Sequence, residues 1–284
     1  MSLVNPSAHE SYILGRLKSD YIFLAGKYEV VGVFLFGSQN YETDTVYSDI
    51  DVKAIVMPKV DNLLLGNYEI KETHRRDNGE LTVFDIKSMH DNIKKLNINF
   101  LEILFTEYRI INPEYKDLWF DMIILREDIA YHHKHAAMKC IYGCAQNKFS
   151  KLFHKVPSNE EKIDKVGYDY KAWSDILRFW EMMQAYKMHK PYENILKIKS
   201  VNRDAYDHIM NIKTCTYVCP PNQIKEDSSA MKQNMEFFMD KYIEEQSATV
   251  YQYIVDVIDE ITLNCLKAYV NERCYKERWP VLSC

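Results

Sequence analysis

Five residues between positions 37 and 85 have types and spacing that could do chemistry. Asp49 and Asp51 stand one residue apart in "SDIDV", Asp85 lies in "TVFDI", and Gly37-Ser38 ends the apolar run "FLFGS". In an extended strand alternate side chains share a face. Asp49 and Asp51 would therefore project together, their Cβ atoms about 7 Å apart, while Ile50 and Val52 turn into a core. Two carboxylates so spaced can converge on a hard divalent cation, and Mg²⁺ favours a few carboxylates completed by phosphate oxygens. Asp85 offers a third acid from a neighbouring strand, and three carboxylates on one face would repel severely without a cation. Glycine at a strand end lets the backbone approach a ligand, turn amides can surround phosphate oxygens, and Ser38 adds a hydroxyl donor. Phosphate beside bound metal is the geometry of two-metal phosphoryl or nucleotidyl transfer. Each motif alone is weak, a lone D-x-D being most often a solvated edge; the order and strand context carry the signal.

The elements that must hold these residues follow from pattern. Residues 8–26 recur at a helical period and stop at Gly26, "YEVVGVFLF" reads as a strand, and "SDIDVKAIVM" and "LTVFDIK" read as two more. "HRRDNGE" is a polar turn segment with an Asn-Gly signal, so the second and third strands could be antiparallel neighbours. Ser88 can cap a helix over "MHDNIKKL", followed by the apolar "INFLEILF". Helical patterns then dominate at 115–153, 169–189, 202–212 and 230–275. "KTCTYVCPPNQIKEDSS" is an interhelical loop in which Pro220-Pro221 bars helix continuation. The expected class is α+β: a small mixed sheet with helices over residues 1–113, then an all-helical domain over 114–284.

Bulk properties narrow the function. The 284 residues suffice for a real core, and 47% hydrophobic with 27% charged residues is an ordinary globular profile. A net charge of −5 argues mildly against wholesale coating of a nucleic-acid backbone and leaves room for a local basic groove. No apolar run reaches the roughly 18 residues of a membrane span, and no signal peptide is visible. The seven cysteines are an odd number and read as free thiols, so the expected location is cytoplasmic, with no membrane partner.

Apolar strand, Gly-Ser, ten residues from Gln39 to Ser48, Asp-x-Asp on a strand and a third acidic strand together resemble the nucleotidyltransferase fold of the DNA polymerase beta superfamily. "NINFLEILF" (97–105) and "GYDYKAWSDILRFWEMM" (167–183) are also similar to segments of the bacterial and phage predicted nucleotidyltransferases of the YcgL type, and the resemblance covers roughly residues 30–190. It implies transfer of a nucleoside monophosphate from an NTP, ATP first, to an acceptor, releasing pyrophosphate with Mg²⁺ or Mn²⁺ as cofactor. Gly37 and Ser38 would hold the β,γ-phosphates, Asp49 and Asp51 would bind both metals, and Asp85 would bind the acceptor-side metal and act as general base. The stretch "QNYETDTVY" after Gly-Ser is acidic and has no Arg, so phosphate-binding cations must come from elsewhere. Lys171 and Arg178, seven apart on one helix face, are candidates that could clamp the phosphates across a cleft between the domains, against the bland reading of a solvated face.

Other readings stay open. The acceptor could be an RNA end, a protein or a small molecule, the last making the chain an adenylyltransferase of the aminoglycoside-resistance kind. A catalytically silent binding or antitoxin-like module is the alternative from another class. His132, His133 and His135 in "YHHKHAA" and the pairs Cys140/Cys144 and Cys215/Cys219 could ligate zinc, yet helical i,i+4 spacing equally places small apolar groups on one face. Arg75-Arg76 reads as a solvated loop, and Lys148 and Lys151 are undecided between a phosphate clamp and a solvated face.

Overall fold

The computed structural model describes residues 8–278 apart from positions 46 and 68. Helix α1 (Ala8–Ala25) turns Ile13, Leu17 and Leu24 inward, all buried. The strand β1 (Glu29–Phe36) is buried over most of its length, as an apolar unbroken run should be when both faces are covered. Next come β2 (Asp51–Met57), the short α2 (Val60–Leu64), β3 (Lys71–Arg76) and β4 (Gly79–Asp85). Helices α3 (Ile86–Lys94) and α4 (Ile98–Phe105), strand β5 (Arg109–Ile111), and helices α5 (Lys116–Ile124) and α6 (Arg126–Tyr131) follow. The rest is helical: α7 (Lys134–Lys151), α8 (Glu160–Val166), α9 (Tyr170–Lys187), α10 (Tyr192–Leu196), α11 (Arg203–Lys213), α12 (Pro221–Glu245) and α13 (Gln252–Arg278). The protein is α+β, with one mixed sheet.

Strand order is β3-β4-β2-β1-β5. The expectation of an antiparallel β2–β4 pair is wrong: the two run parallel, Val52 opposite Leu81 and Val56 opposite Asp85. The Asn-Gly turn instead joins β3 to β4, with Arg76 opposite Gly79. "KETHRR", half of which was read as a turn, is a strand whose residues alternate only between exposed and half-buried, so no apolar face announces it. Gly79 has φ +95°, and a Cβ there would lie 2.4 Å from the carbonyl oxygen of Ile50, so only glycine lets the hairpin seat against β2.

One sheet face packs α1 against Val33, Leu35, Val52, Ala54, Leu81 and Val83. The other carries Phe34 against Trp119 of α5, ring centroids 4.4 Å apart, and Phe84 against Phe100 of α4, 4.8 Å apart. Burying each such side chain contributes about 1.5–3 kcal/mol.

The chain divides into two compact units whose boundary is not at residue 113. The sheet unit takes residues 1–40, 47–132 and 251–284; the helical unit takes 41–46 and 133–250. Helices α5, α6 and α13 belong with the sheet: α13 packs on α3, α5 and α6, and its Asp259 bonds His90 (2.6 Å) and Lys94 (2.7 Å). In the helical unit α9 packs on α7 and α11, and α12 on α7. Helix α12 begins at Pro221 rather than near 230, because proline at the first helical position loses no hydrogen bond. Among the described residues no helix is long and apolar enough to cross a membrane.

Candidate active site

The antiparallel pairing of β1 and β2 sets Phe36 opposite Asp51, so the turn that leaves β1 begins beside the acid that opens β2. Gly37 has φ +80°, a left-handed conformation that side chains resist, and a Cβ there would come 3.5 Å from Asp51 Oδ2. The Asn40 amide closes the turn onto the Gly37 carbonyl at 3.0 Å. Ser38 is half-buried, and among the described residues its hydroxyl has no partner. Gln39 spans the loop, its Oε1 accepting from His9 Nε2 at 3.1 Å and its Nε2 donating to the Ser48 carbonyl at 3.5 Å.

Asp49, in the coil that leads into β2, is exposed and Asp51, its first residue, half-buried, while Ile50 and Val52 are buried in the core; the strand expected from Ser48 begins only at Asp51. Asp51 Oδ1 accepts the backbone amide of Glu80 at 3.2 Å. Glu80 is exposed and lies one residue before Leu81, the partner of Val52, so it stands level with Asp51. Leu81 and Val83 pack into the α1 face, which sends Glu80 to the opposite face together with Asp51.

Asp85 does something else. It is buried, its Oδ1 accepts the Ser88 amide at 2.7 Å, and its Oδ2 accepts the Ser88 hydroxyl at 2.9 Å and the Ile70 amide at 2.8 Å. It is therefore the N-cap of α3, the role assigned from sequence to Ser88. It lies opposite Val56 rather than Asp51, about 16 Å further along the paired strands at the usual rise, and on the α1 face. The expected triad of Asp49, Asp51 and Asp85 does not form, and Glu80 is the carboxylate that the sheet brings to Asp51.

Beneath the turn lies a pair that sequence reasoning missed. The Gly37 amide donates to Glu102 Oε2 at 3.2 Å, so this amide is committed within the chain rather than left for phosphate. Glu102 is fully buried on α4, and its Oε1 is 3.9 Å from Lys53 Nζ. Lys53 sits between the rings of Phe36 (4.5 Å) and Phe100 (4.8 Å) and donates to the Asn99 carbonyl. Burial, opposed by the Glu102 charge, lowers its pKa to about 8. A lysine at an apolar strand position and a glutamate inside "NFLEILF" were the available signal: buried charges need partners.

In the helical unit, Lys171 is exposed at the start of α9 and Arg178 is buried. The Arg178 guanidinium lies over Tyr41 (4.3 Å) and Phe179 (4.6 Å). Lys148 pairs with Asp175 at 2.6 Å, and Lys213 donates to the Thr43 carbonyl at 2.6 Å. Burial, opposed by Asp175 and reinforced by Lys171 and Arg178, depresses Lys213 to about 8. The acidic stretch after Gly-Ser thus has its cations: Lys197 (3.7 Å) and Lys199 (3.8 Å) also reach Glu42.

The zinc readings gain no cluster. His132 is buried with Nδ1 on the Ile129 carbonyl at 2.7 Å, and His135 Nε2 is 3.0 Å from the Gln246 carbonyl. A hydrogen bond with Cys140, then burial, pushes the Cys144 thiol up, away from the thiolate a metal would take. Among the described residues no three His, Cys, Asp or Glu side chains are grouped closely enough to hold a metal. Mg²⁺ commonly takes one or two carboxylates, several waters and substrate phosphates, so Asp49 and Asp51 fit an ion arriving with a triphosphate and do not by themselves form a cage.

No protein-family model matches the sequence, and no curated protein is similar to it. Among solved structures the chain is similar to a nucleotidyltransferase-like protein from Exiguobacterium sibiricum, with 10% sequence identity, a TM-score of 0.32, and 92% of this chain and 80% of that one covered.

Proposed function

We propose that this chain is a divalent-metal-dependent nucleotidyltransferase that moves a nucleoside monophosphate from an NTP to an acceptor and releases pyrophosphate. The observation that carries the reading is the apposition of Gly37 and Asp51, a left-handed glycine turn against the acid that opens β2, with Asp49 and Glu80 at the same sheet end. Acids gathered beside a turn with an unpartnered hydroxyl suit a ligand that is itself anionic only when a cation accompanies it.

In the reaction an acceptor oxygen or nitrogen bonds to the α-phosphorus, the bond from that phosphorus to the β-bridging oxygen breaks, and the acceptor loses a proton. Mg²⁺ or Mn²⁺, held by Asp49 and Asp51, would supply neutralising charge to the phosphates. Ser38 donates to a phosphate oxygen. Glu80, exposed and level with Asp51, replaces Asp85 as the carboxylate that takes the acceptor's proton. ATP is the first nucleotide to test, and the YcgL-type likeness of the 97–105 and 167–183 segments is part of this proposal.

The test is incubation with each α-labelled NTP, Mg²⁺ or Mn²⁺, and separate pools of RNA, protein and small amines. Label entering one pool, with pyrophosphate released and both lost in Asp51→Asn, is expected. No label and no pyrophosphate from any pool would favour a silent binding module.

A further inference from the structure

The groove between α1 and the β3–β4 hairpin holds about 400 Å³ and is lined by Tyr12, Arg16, Ser19, Arg75, Arg76 and Asn78 among others. Its charge is not balanced internally. The fully buried Asp20 accepts from both Arg16 Nε (2.7 Å) and Arg76 Nε (2.8 Å), one carboxylate for two guanidinium groups. Arg16 Nη1 donates to the Asn78 carbonyl, and Arg16 Nη2 is buried with no hydrogen-bond partner. Arg75 is exposed and stands opposite Glu80 in the ladder, so its side chain leaves β3 on the face away from α1. Asp77 at the hairpin tip is the one acid on the lining. A buried guanidinium N–H without an acceptor is rare, and a phosphate oxygen is the acceptor that the fork geometry matches.

Aromatic rings lie among these arginines. Tyr12 is 55% exposed, with its hydroxyl accepting from Asn78 at 3.2 Å, and Phe23 is 47% exposed beneath the Arg76 guanidinium at 4.6 Å. Backbone-tracking cations interleaved with exposed rings are what single-stranded nucleic acid needs, since every base offers a face to stack. Gly15, mid-helix in α1, also lines the groove, and a Cβ there would meet nothing. Packing does not ask for glycine, a poor helix former, yet a side chain at that position would fill the groove.

The groove adjoins the acid end of the sheet, because the Gly79 backbone seats against Ile50, between Asp49 and Asp51, and Arg75 pairs across the ladder with Glu80. We infer that this groove binds the phosphates of a single-stranded polynucleotide, so that the acceptor is a nucleic-acid end; the acceptor half of this inference rests on the transferase reading.

Binding is measured by fluorescence anisotropy with short 5′-labelled single-stranded RNA and DNA, without NTP or metal, over a salt series. The expected result is binding whose logarithm falls linearly with the logarithm of salt. Tyr12→Ala should weaken it about tenfold, the scale of one lost base stack. Gly15→Glu should weaken it further while its melting temperature stays equal or rises. The RNA and DNA arms tell the two polynucleotides apart. No binding by the wild-type protein, or binding indifferent to both substitutions, overturns the groove, and a groove that takes only phosphopeptides would show the former. Asp51→Asn should bind RNA normally. Polynucleotide binding without label transfer sinks the transferase reading alone, whereas transfer to protein or amines without polynucleotide binding sinks the groove alone.

Discussion

Replacing Asp85 by alanine separates a capping residue from a catalytic one. The carboxylate accepts three hydrogen bonds while buried: two from Ser88 and one from the Ile70 amide. Loss of an N-cap costs about 1 kcal/mol, and stranding the Ile70 amide adds about 1–3 kcal/mol, giving about 2–4 kcal/mol in total. For a protein of this size that is a fall in Tm of about 5–10 °C. Asp85→Asn keeps one oxygen for the Ser88 amide and should lose about half as much. Thermal melting gives the stability, and pyrophosphate release well below the transition gives turnover per folded molecule, which should stay near wild type in both variants. Glu80→Gln should do the reverse: stability within about 0.5 kcal/mol at an exposed site, and turnover down by about two orders of magnitude. An Asp85→Ala protein that melts like the wild type yet has lost turnover would refute the capping assignment and restore Asp85 to the chemistry.

Asp51→Asn should abolish turnover with stability unchanged or slightly raised, since an amide oxygen still accepts from Glu80 and a like charge is gone, as urea titration would show. Gly37→Ala should cost about 1–2 kcal/mol from the left-handed backbone alone, because its Cβ would meet Asp51 at an ordinary 3.5 Å; no loss in urea titration would contradict the +80° torsion. Lys53→Met should destabilise by about 3–5 kcal/mol by leaving Glu102 buried without its cation, and adding Glu102→Gln should recover most of it. With the folded Lys53 near 8 and its unfolded value near 10.5, the unfolded chain binds the proton more tightly, so stability rises as pH climbs from 8 to 10.5. The rise is about 3 kcal/mol at most and should shrink in Lys53→Met; Lys213 contributes a similar rise to both proteins, so the difference between their pH curves is the measurement.

Alternation and strand composition made β1, β2 and β4 legible, and with them the placing of Asp49 and Asp51 opposite the core. The third acid was misread because a single strand has no visible phase. Asp85 shares its parity with Leu81 and Val83, which are buried, and only the parallel register with β2 shows that Glu80 is the residue level with Asp51. That register depended on β3, a polar strand with nothing apolar to announce it. The residue boundary failed for a related reason: α13 returns to the sheet through Asp259 contacts from residues 165 and 169 positions away, which no local pattern encodes.

The chain enters the helical unit twice, first for residues 41–46 alone. The Thr43 carbonyl waits for Lys213, 170 residues later, and the Glu42 carbonyl for Tyr206, 164 later. At about 5–20 residues per second of synthesis, the Gly-Ser loop is made roughly 10–30 s before the groups that fasten it. On the ribosome, then, β1 and β2 can pair while the loop joining them hangs open, an interval in which Tyr41 and Thr43, buried in the finished protein, stand exposed to proteases and chaperones.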